Sequence, residues 1–468
     1  MKTWLIASAV ATAALVGCGS TVTIAAPKNV IFFVGDGMGM TTQTAARIYK
    51  VGEDGELTMD TLPETAFIKT YSNNAQVTDS APSMAAYMTG VKMNNEVISM
   101  TPDTSAFDVV TGQDYLNGQD STCPITGNGK SVPTLLEIAK AAGLATGAVT
   151  TTRVTHATPA VTYSHVCHRD GENTIAAQAV PGGAGFNAAL GDGLDVLLGG
   201  GRQFFLPTTA GGKRTDGRDL TAEFKAKGYT YVKNKTEFDA AAASGKLVGL
   251  FTSSHMSYDI DRDPAVEPSL AEMTTKAIDI LSKNQKGFFL MVEGGRIDHA
   301  LHETTAQKAL QDTAAFDDAI KAAIDKMKVI DPDLKNTLIV VTADHDHTLV
   351  LNGYAARTGK TTSSNPGVLG LLKSFVNNAL SLDSGGNPFT IIGFGNGENR
   401  PATRAALTDA QVADKTYHQE AAIPTAAGSE THGGTDVFLG AIGQGAENFT
   451  GVITNTEVFG LIRKSVGL

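Results

Sequence analysis

Short runs of consecutive apolar residues recur along the chain, separated by longer amphipathic stretches. Val30-Ile31-Phe32-Phe33-Val34, Ala148-Val149-Thr150, Val196-Leu197-Leu198, Phe288-Phe289-Leu290-Met291-Val292 and Leu338-Ile339-Val340-Val341 are such runs. A strand with one wet face alternates apolar and polar residues. Unbroken apolar runs instead predict strands covered on both faces, as in a mostly parallel sheet. Between them the period becomes helical. Leu135-Leu136-Glu137-Ile138-Ala139 predicts a helix that stops at Gly143, a residue suited to a C-cap. Ser269-Leu270-Ala271-Glu272 has capping-box spacing, and Leu270, Met273, Ala277 and Leu281 then share a face. From Ala306 to Met327 another helix carries Leu310, Phe316, Ile320 and Ile324. This alternation predicts an α/β fold, a three-layer α/β/α sandwich with a mostly parallel central sheet. Two stretches break the rhythm. Residues 202–246 read as loop- and turn-rich, and residues 350–430, rich in Gly, Asn, Ser and Thr, read as a crown-like insertion over the site.

The length, 468 residues, is large for one domain but fits a single α/β enzyme with insertions. Lysine and arginine number 37 against 48 acidic residues, a net charge of −11 without a basic stripe, which argues against a nucleic-acid-binding surface. Three cysteines exclude a disulfide-dense scaffold and a Cys-rich zinc domain. The first segment stands apart. A positive start, Met1-Lys2-Thr3, leads into an apolar run from Leu5 to Val16, too short for a stable spanning helix. It ends in Leu15-Val16-Gly17-Cys18, which resembles the bacterial lipoprotein processing box. The expectation is a signal peptide over 1–17, a tether over 18–27, and a periplasmic or cell-envelope lipoprotein anchored through Cys18. A plain secretory signal cleaved near Ala25-Ala26 is the alternative. No later stretch is apolar for long enough to span a bilayer. Export permits a disulfide between Cys123 and Cys167; two buried thiols are the other possibility.

Polar residues gather where the predicted strands end: Asp36, Thr151-Thr152, Glu293 and Asp344-His345. Ligands of open α/β sheets bind beyond the carboxyl ends of strands, so this placement is a site signal. Three of the groups that hold the chain's ten histidines stand out. Asp298 and His302 are four apart, one helical turn, and can face one ion. Asp344-His345-Asp346-His347 follows a buried strand, and Glu430-Thr431-His432 lies further on. Mixed carboxylate–imidazole ligation suits zinc, and oxygen-only ligation suits magnesium. Any one group alone would read as a solvated face. Thr78-Asp79-Ser80-Ala81-Pro82-Ser83-Met84 precedes a short helical run, which puts Ser80 at a helix N-terminus, where an anion is favoured. Ser80 could be a simple N-cap. No G-x-S-x-G signature surrounds it, so a metal is the candidate activator if it is a nucleophile.

With these motifs in place the chain resembles the alkaline phosphatases, from about Lys28 to about Arg463 and most weakly over 350–430. The resemblance is carried by Gly35-Asp36-Gly37-Met38-Gly39, Thr78-Asp79-Ser80-Ala81, His156-Ala157-Thr158-Pro159-Ala160, Val292-Glu293-Gly294, Ile297-Asp298 with His302, Thr342-Ala343-Asp344-His345, and His432. It implies phosphate-monoester hydrolysis at alkaline pH through a phosphoserine on Ser80. Asp298, His302 and His432 would hold one zinc. Asp36, Asp344 and His345 would hold a second, completed by Ser80. Asp36, Thr158 and Glu293 would hold a third ion, usually magnesium. Arg169, eleven residues after Thr158, falls where the family keeps its phosphate-clamping arginine. His347 would orient ligands from behind. Two zinc ions can stabilise the entering and leaving oxygens of an in-line displacement. A homodimer acting on small phosphate monoesters is implied, with the membrane reached only through a lipid on Cys18.

Departures from the bacterial pattern also matter. His156 and His299 replace the Asp and Lys of some bacterial members and match the animal-type pattern, as do Gly294-Gly295-Arg296 and Thr151-Thr152-Arg153. Imidazole at 156 opens the third site to zinc instead of magnesium. Animal-type enzymes add a calcium site; here Thr252 stands where an acidic ligand belongs and Glu267 alone survives, so no calcium is expected. A phosphodiesterase or sulfatase of the same superfamily is the alternative activity. Ser80-Ala81-Pro82-Ser83 with Thr89-Gly90 is similar to the sulfatase signature, but that signature needs arginine where Met84 stands.

Overall fold

The computed structural model describes residues 29–468. The predicted signal peptide, the tether and Cys18 lie outside them. Ten strands form the central sheet, in the order Gly451–Thr454, Glu64–Lys69, Val437–Gly443, Thr337–Ala343, Asn29–Gly35, Phe288–Gly294, Ala145–Arg153, Val196–Gly200, Leu247–Leu250 and Thr230–Val232. All pairings are parallel except those of Val437–Gly443, which runs against both neighbours. The five apolar runs fall within five of these strands, and Phe32, Leu198, Leu290 and Val340 are wholly buried. Helices cover both faces. Met40–Val51, Leu270–Leu281 and Ala306–Ile330 pack together on one; Ser80–Thr89, Ala157–Tyr163 and Asn455–Val466 lie on the other. This is the predicted three-layer sandwich.

Local sequence explains the element ends. Ser269 caps Leu270–Leu281 by accepting from the Glu272 N–H, and Glu272 accepts back from the Ser269 N–H. Leu135–Ala141 stops before Gly143, whose φ of +83° suits glycine alone. Residues 202–246 hold only short elements, among them the helices Leu220–Ala226 and Lys235–Ala240 and the edge strand Thr230–Val232. Residues 350–430 contribute most of a separate three-stranded sheet, Leu349–Leu351, Ile392–Gly397 and Ala421–Pro424. Cys123 and Cys167 are joined in a disulfide with Cα atoms 5.8 Å apart. Among the described residues no helix is long and apolar enough to cross a membrane.

Candidate active site and metal centre

Three adjacent central strands deliver the carboxylates. Gly35 pairs with Ala343 on one side and with Gly294 on the other. Asp36 and Asp344 therefore emerge from neighbouring carboxyl ends, with Glu293 beside them. Gly37 turns the chain at φ +67°, and a Cβ there would strike the His347 ring. Its N–H donates to Asp344 Oδ1 at 3.0 Å.

Ser80 is the first residue of its helix, and the cap is Asp79, which accepts from the Ala81 N–H at 2.7 Å. Pro82 therefore stands at the third helical position. Because Asp79 does the capping, the Ser80 hydroxyl is free for the cluster. It lies 3.2 Å from Asp36 Oδ1 and 3.1 Å from His345 Nε2.

Hydrogen bonds behind three imidazoles decide what they offer. Nδ1 of His302, His432 and His345 faces the carbonyl of Glu430, Thr78 and Asp346, respectively. A carbonyl only accepts, so each Nδ1 carries the proton and, in the neutral ring, each Nε2 presents a lone pair. Those of His302 and His432 meet at 3.2 Å, with Asp298 Oδ1 3.2 and 3.6 Å away. That of His345 meets Asp36 Oδ1 at 3.3 Å and Asp344 Oδ2 at 3.4 Å. Converging lone pairs repel unless a cation lies among them. Asp36 Oδ2, Asp344 Oδ2, Glu293 Oε1 and Thr158 Oγ1 are also buried without partners. Burial, then repulsion from Asp298 and Glu293, raises Asp36 well above the usual carboxylate range. Burial, then Asp36, pushes Asp344 up to about 7, and burial pushes Glu293 to about 7. Acids so crowded ionise only with compensating positive charge. The residues present thus fit bound cations, in three groups whose ligand atoms lie within 4.8 Å of one another: Asp298, His302, His347 and His432; Asp36, Asp344 and His345; Asp36, His156 and Glu293.

His347 differs from the other members of its group. Its Nε2 reaches Asp298 Oδ1 at 2.8 Å and its Nδ1 reaches Glu430 Oε2 at 2.5 Å, so both nitrogens face carboxylates. Burial disfavours its charge, but hydrogen bonds to Asp298 and Glu430 outweigh burial and raise it to about 10. Facing a carboxylate through each nitrogen, it braces Asp298 from behind.

Arg169 faces the nucleophile from the other side. Its Nη1 donates to Asp79 Oδ1 at 2.9 Å and its Nη2 to His156 Nε2 at 3.0 Å. Thr150 and Thr152 brace Glu293 through Oε2. His299 accepts from Arg296 Nη1 at 2.8 Å, and burial pushes it down to about 3. Glu267, the surviving acid of the calcium pattern, is taken up by the N–H and hydroxyl of Ser257.

The structure brings every predicted site residue into this one neighbourhood. Sequence reading left the capping by Asp79, the Glu430 carboxylate behind His347, and His255 without roles. His255 sits with its ring 4.2 Å from that of His299 and accepts from Arg153 Nη1. It lies just past the end of Leu247–Leu250, so the strand-end signal would have found it had that four-residue strand been read.

A serine at a helix N-terminus, between carboxylate–imidazole clusters and faced by a guanidinium, has the parts of a metal-dependent hydrolase of phosphate esters. Comparison with known proteins gives the family. The alkaline phosphatase family model matches residues 27–468. The chain is 38% identical to tissue-nonspecific alkaline phosphatase of Mus musculus over 91% of its length and 81% of that protein. It is 35% identical to a membrane-bound alkaline phosphatase of Bombyx mori, over 94% of this chain and 80% of that one. Among solved structures, the Thermus thermophilus alkaline phosphatase aligns with a TM-score of 0.67 at 26% identity, covering 97% of this chain and 96% of that one. The chain belongs to the alkaline phosphatase family. It is a metal-dependent enzyme that hydrolyses phosphate monoesters, and the sulfatase and diesterase alternatives are not favoured.

Proposed function

We propose that Ser80 is the nucleophile of this hydrolysis and Arg169 its phosphate clamp. The observation that carries the reading is the Ser80 hydroxyl, 3.2 Å from Asp36 and 3.1 Å from His345 at the mouth of the paired clusters. Asp298, His302 and His432 hold one zinc; Asp36, Asp344 and His345 hold a second; Asp36, Thr158 and Glu293 hold magnesium. When bound, these ions supply charge stabilisation for the entering and leaving oxygens and favour deprotonation at neutral to alkaline pH.

The chain's own groups do the rest. The helix N-terminus favours the Ser80 alkoxide, which attacks phosphorus in line with the departing alcohol. The planar fork of Arg169 orients two phosphoryl oxygens. Water then releases phosphate from phosphoserine and restores Ser80. His156 meets Arg169 through Nε2, and its Nδ1 is buried without a partner. An imidazole beside Asp36 and Glu293 makes zinc the alternative to magnesium in the third site.

The protein is exported and held by a lipid on Cys18. It works as a homodimer: Tyr354, Phe375, Val376, Leu382 and Ile423 are exposed apolar residues in the 350–430 region, and such surface favours self-association. Metal analysis of purified protein tests the ion assignment, with turnover of p-nitrophenyl phosphate, its sulfate and its diester before and after chelation. The expected result is two zinc and one magnesium per chain, monoester turnover far above the others, and loss on chelation. Faster diester or sulfate turnover would contradict the reading.

A further inference from the structure

Arg169 stands in irregular backbone between the helices Ala157–Tyr163 and Glu172–Gln178. A guanidinium at the end of a flexible side chain grips a phosphoryl group well only if its backbone is fixed. No helix or strand fixes it, and three ties do so instead. Val166 and Ile98 exchange backbone hydrogen bonds across an isolated bridge, at 3.0 and 3.2 Å. The Arg169 N–H donates to the Glu96 carbonyl at 2.8 Å. Between these ties, Cys167 is bonded to Cys123.

Glu96 is held at φ +73°, a costly conformation for a residue with a side chain. There its N–H donates to Asp79 Oδ2 while its carbonyl accepts from Arg169. Asp79 in turn caps the Ser80 helix and takes the Arg169 head through Oδ1. The arginine backbone, its guanidinium and the nucleophile's helix cap are therefore one connected unit.

Cys123 belongs to residues 101–131, a stretch whose regular structure is a two-residue hairpin, Leu116–Asn117 with Asp120–Ser121. This excursion has little core of its own: Val109, Val110 and Ile125 are exposed. It nevertheless folds back over the Arg169 segment. The Asn173 N–H donates to the Gln119 carbonyl and the Ser121 N–H to Thr174 Oγ1, both at 2.9 Å. Phe107 meets the His168 ring edge-on at 5.9 Å. A cross-link that serves stability alone gains by closing a long loop anywhere. This disulfide, the single one among the described residues, lands two residues from Arg169.

We propose that the Cys123–Cys167 bond is a positioning element for Arg169, pinning the 166–170 backbone beneath the 101–131 excursion so that the guanidinium is preset for the phosphoryl group. The inference rests on the reading of Arg169 as the phosphate clamp. Neither cysteine touches substrate.

The test is a cycle on the holoenzyme: wild type, Cys123→Ser with Cys167→Ser, Arg169→Lys, and all three together. The readouts are kcat and KM for p-nitrophenyl phosphate and the inhibition constant of inorganic phosphate. Losing the disulfide should raise KM and the phosphate inhibition constant about five- to tenfold, part of one charge-assisted hydrogen bond, with a smaller change in kcat. In the Arg169→Lys background the same loss should have no further effect on phosphate, because coupled groups are not additive. An equal fold-change in both backgrounds would overturn the inference. So would a lower melting temperature with unchanged phosphate inhibition. If Arg169→Lys alone leaves phosphate inhibition unchanged, the clamp reading fails first, visibly and independently of the cysteines, and the inference falls with it. Should the cysteine variants not fold, the folded holoenzyme is reduced with tris(2-carboxyethyl)phosphine in excess zinc and magnesium, with both thiols counted by mass. The same rise in the phosphate inhibition constant is expected, and an unchanged constant overturns the proposal.

Discussion

The Ser80 hydroxyl, Asp36 and His345 meet within 3.3 Å, and of the three only the hydroxyl can also donate. Ser80→Ala removes the attacking oxygen but leaves the imidazoles and carboxylates in place. Turnover should fall by three orders of magnitude or more, as on removing a catalytic nucleophile, while bound metal is retained. Elemental analysis beside kinetics checks this, and loss of metal would contradict it. His432→Ala should lower both zinc content and turnover. Glu293→Gln should slow the reaction but leave two zinc ions bound; equal zinc loss in both variants would contradict the division of ligands. His156→Asp with His299→Lys adds a carboxylate to the third group and a full positive charge near the phosphate, where His299 is now neutral. Lower turnover at alkaline pH, tighter phosphate inhibition and a larger magnesium response are expected. Kinetics with and without added magnesium decide it, and no change in either phosphate or magnesium dependence would sink this reading of the two histidines. Asp36, Glu293, Asp344 and His345 were legible because chemistry and position coincide, at the ends of buried strands; the roles of Ser80, Arg169 and His432 came with the resemblance to the alkaline phosphatases. Glu430 and Asp79 stood in plain view within the motifs, but their roles depend on partners remote in sequence. Spacing alone groups His347 with the ligands; the resemblance set it behind them, and the two carboxylates on its ring agree.

Element reading succeeded where burial is two-sided. Asn29–Gly35 and Phe288–Gly294 are almost entirely buried, so their apolar runs are unbroken. The strands missed at the sheet margins are short or half-exposed, such as Thr230–Val232 and Gly451–Thr454. Three or four residues give no period to read. Glu64–Lys69 alternates exposed and buried residues, and Val437–Gly443 runs antiparallel; neither matches the pattern of a doubly covered parallel strand. The long helix Ala306–Ile330 was legible, yet it carries an acid against the grain of its buried face. Asp312 accepts from the Asp259 N–H, and burial pushes it up to about 8. The folded state therefore keeps a proton that the unfolded chain loses near pH 4. Stability falls as pH rises through that window and levels off above about 8, at up to about 1.4 kcal/mol per pH unit. Asp312→Asn removes this term. Its melting temperature should exceed that of the wild type by an amount that grows from pH 5 to pH 8; a gap independent of pH would contradict the assignment.

At the scale of the whole molecule, the carboxyl end of the central strands gathers what distant segments supply: Asp36 and Ser80 from the first hundred residues, Arg169 from the second, and His432 from the last forty. The parallel register makes this possible, since neighbouring strands end level with one another. The strand-end rule predicted the part played by Asp36, and the family resemblance supplied Ser80, Arg169 and His432. The pairing of the nucleophile helix with the Arg169 segment was not legible: the disulfide was open as a possibility, but Glu96 acts through backbone contacts that no motif encodes. The account turns on Ser80 carrying the phosphoryl group between two displacements. Acid-quenching the enzyme with labelled phosphate monoester and mapping the label by peptide mass analysis tests this directly. Label on Ser80, absent from Ser80→Ala, is the predicted result. Label on any other residue would contradict it.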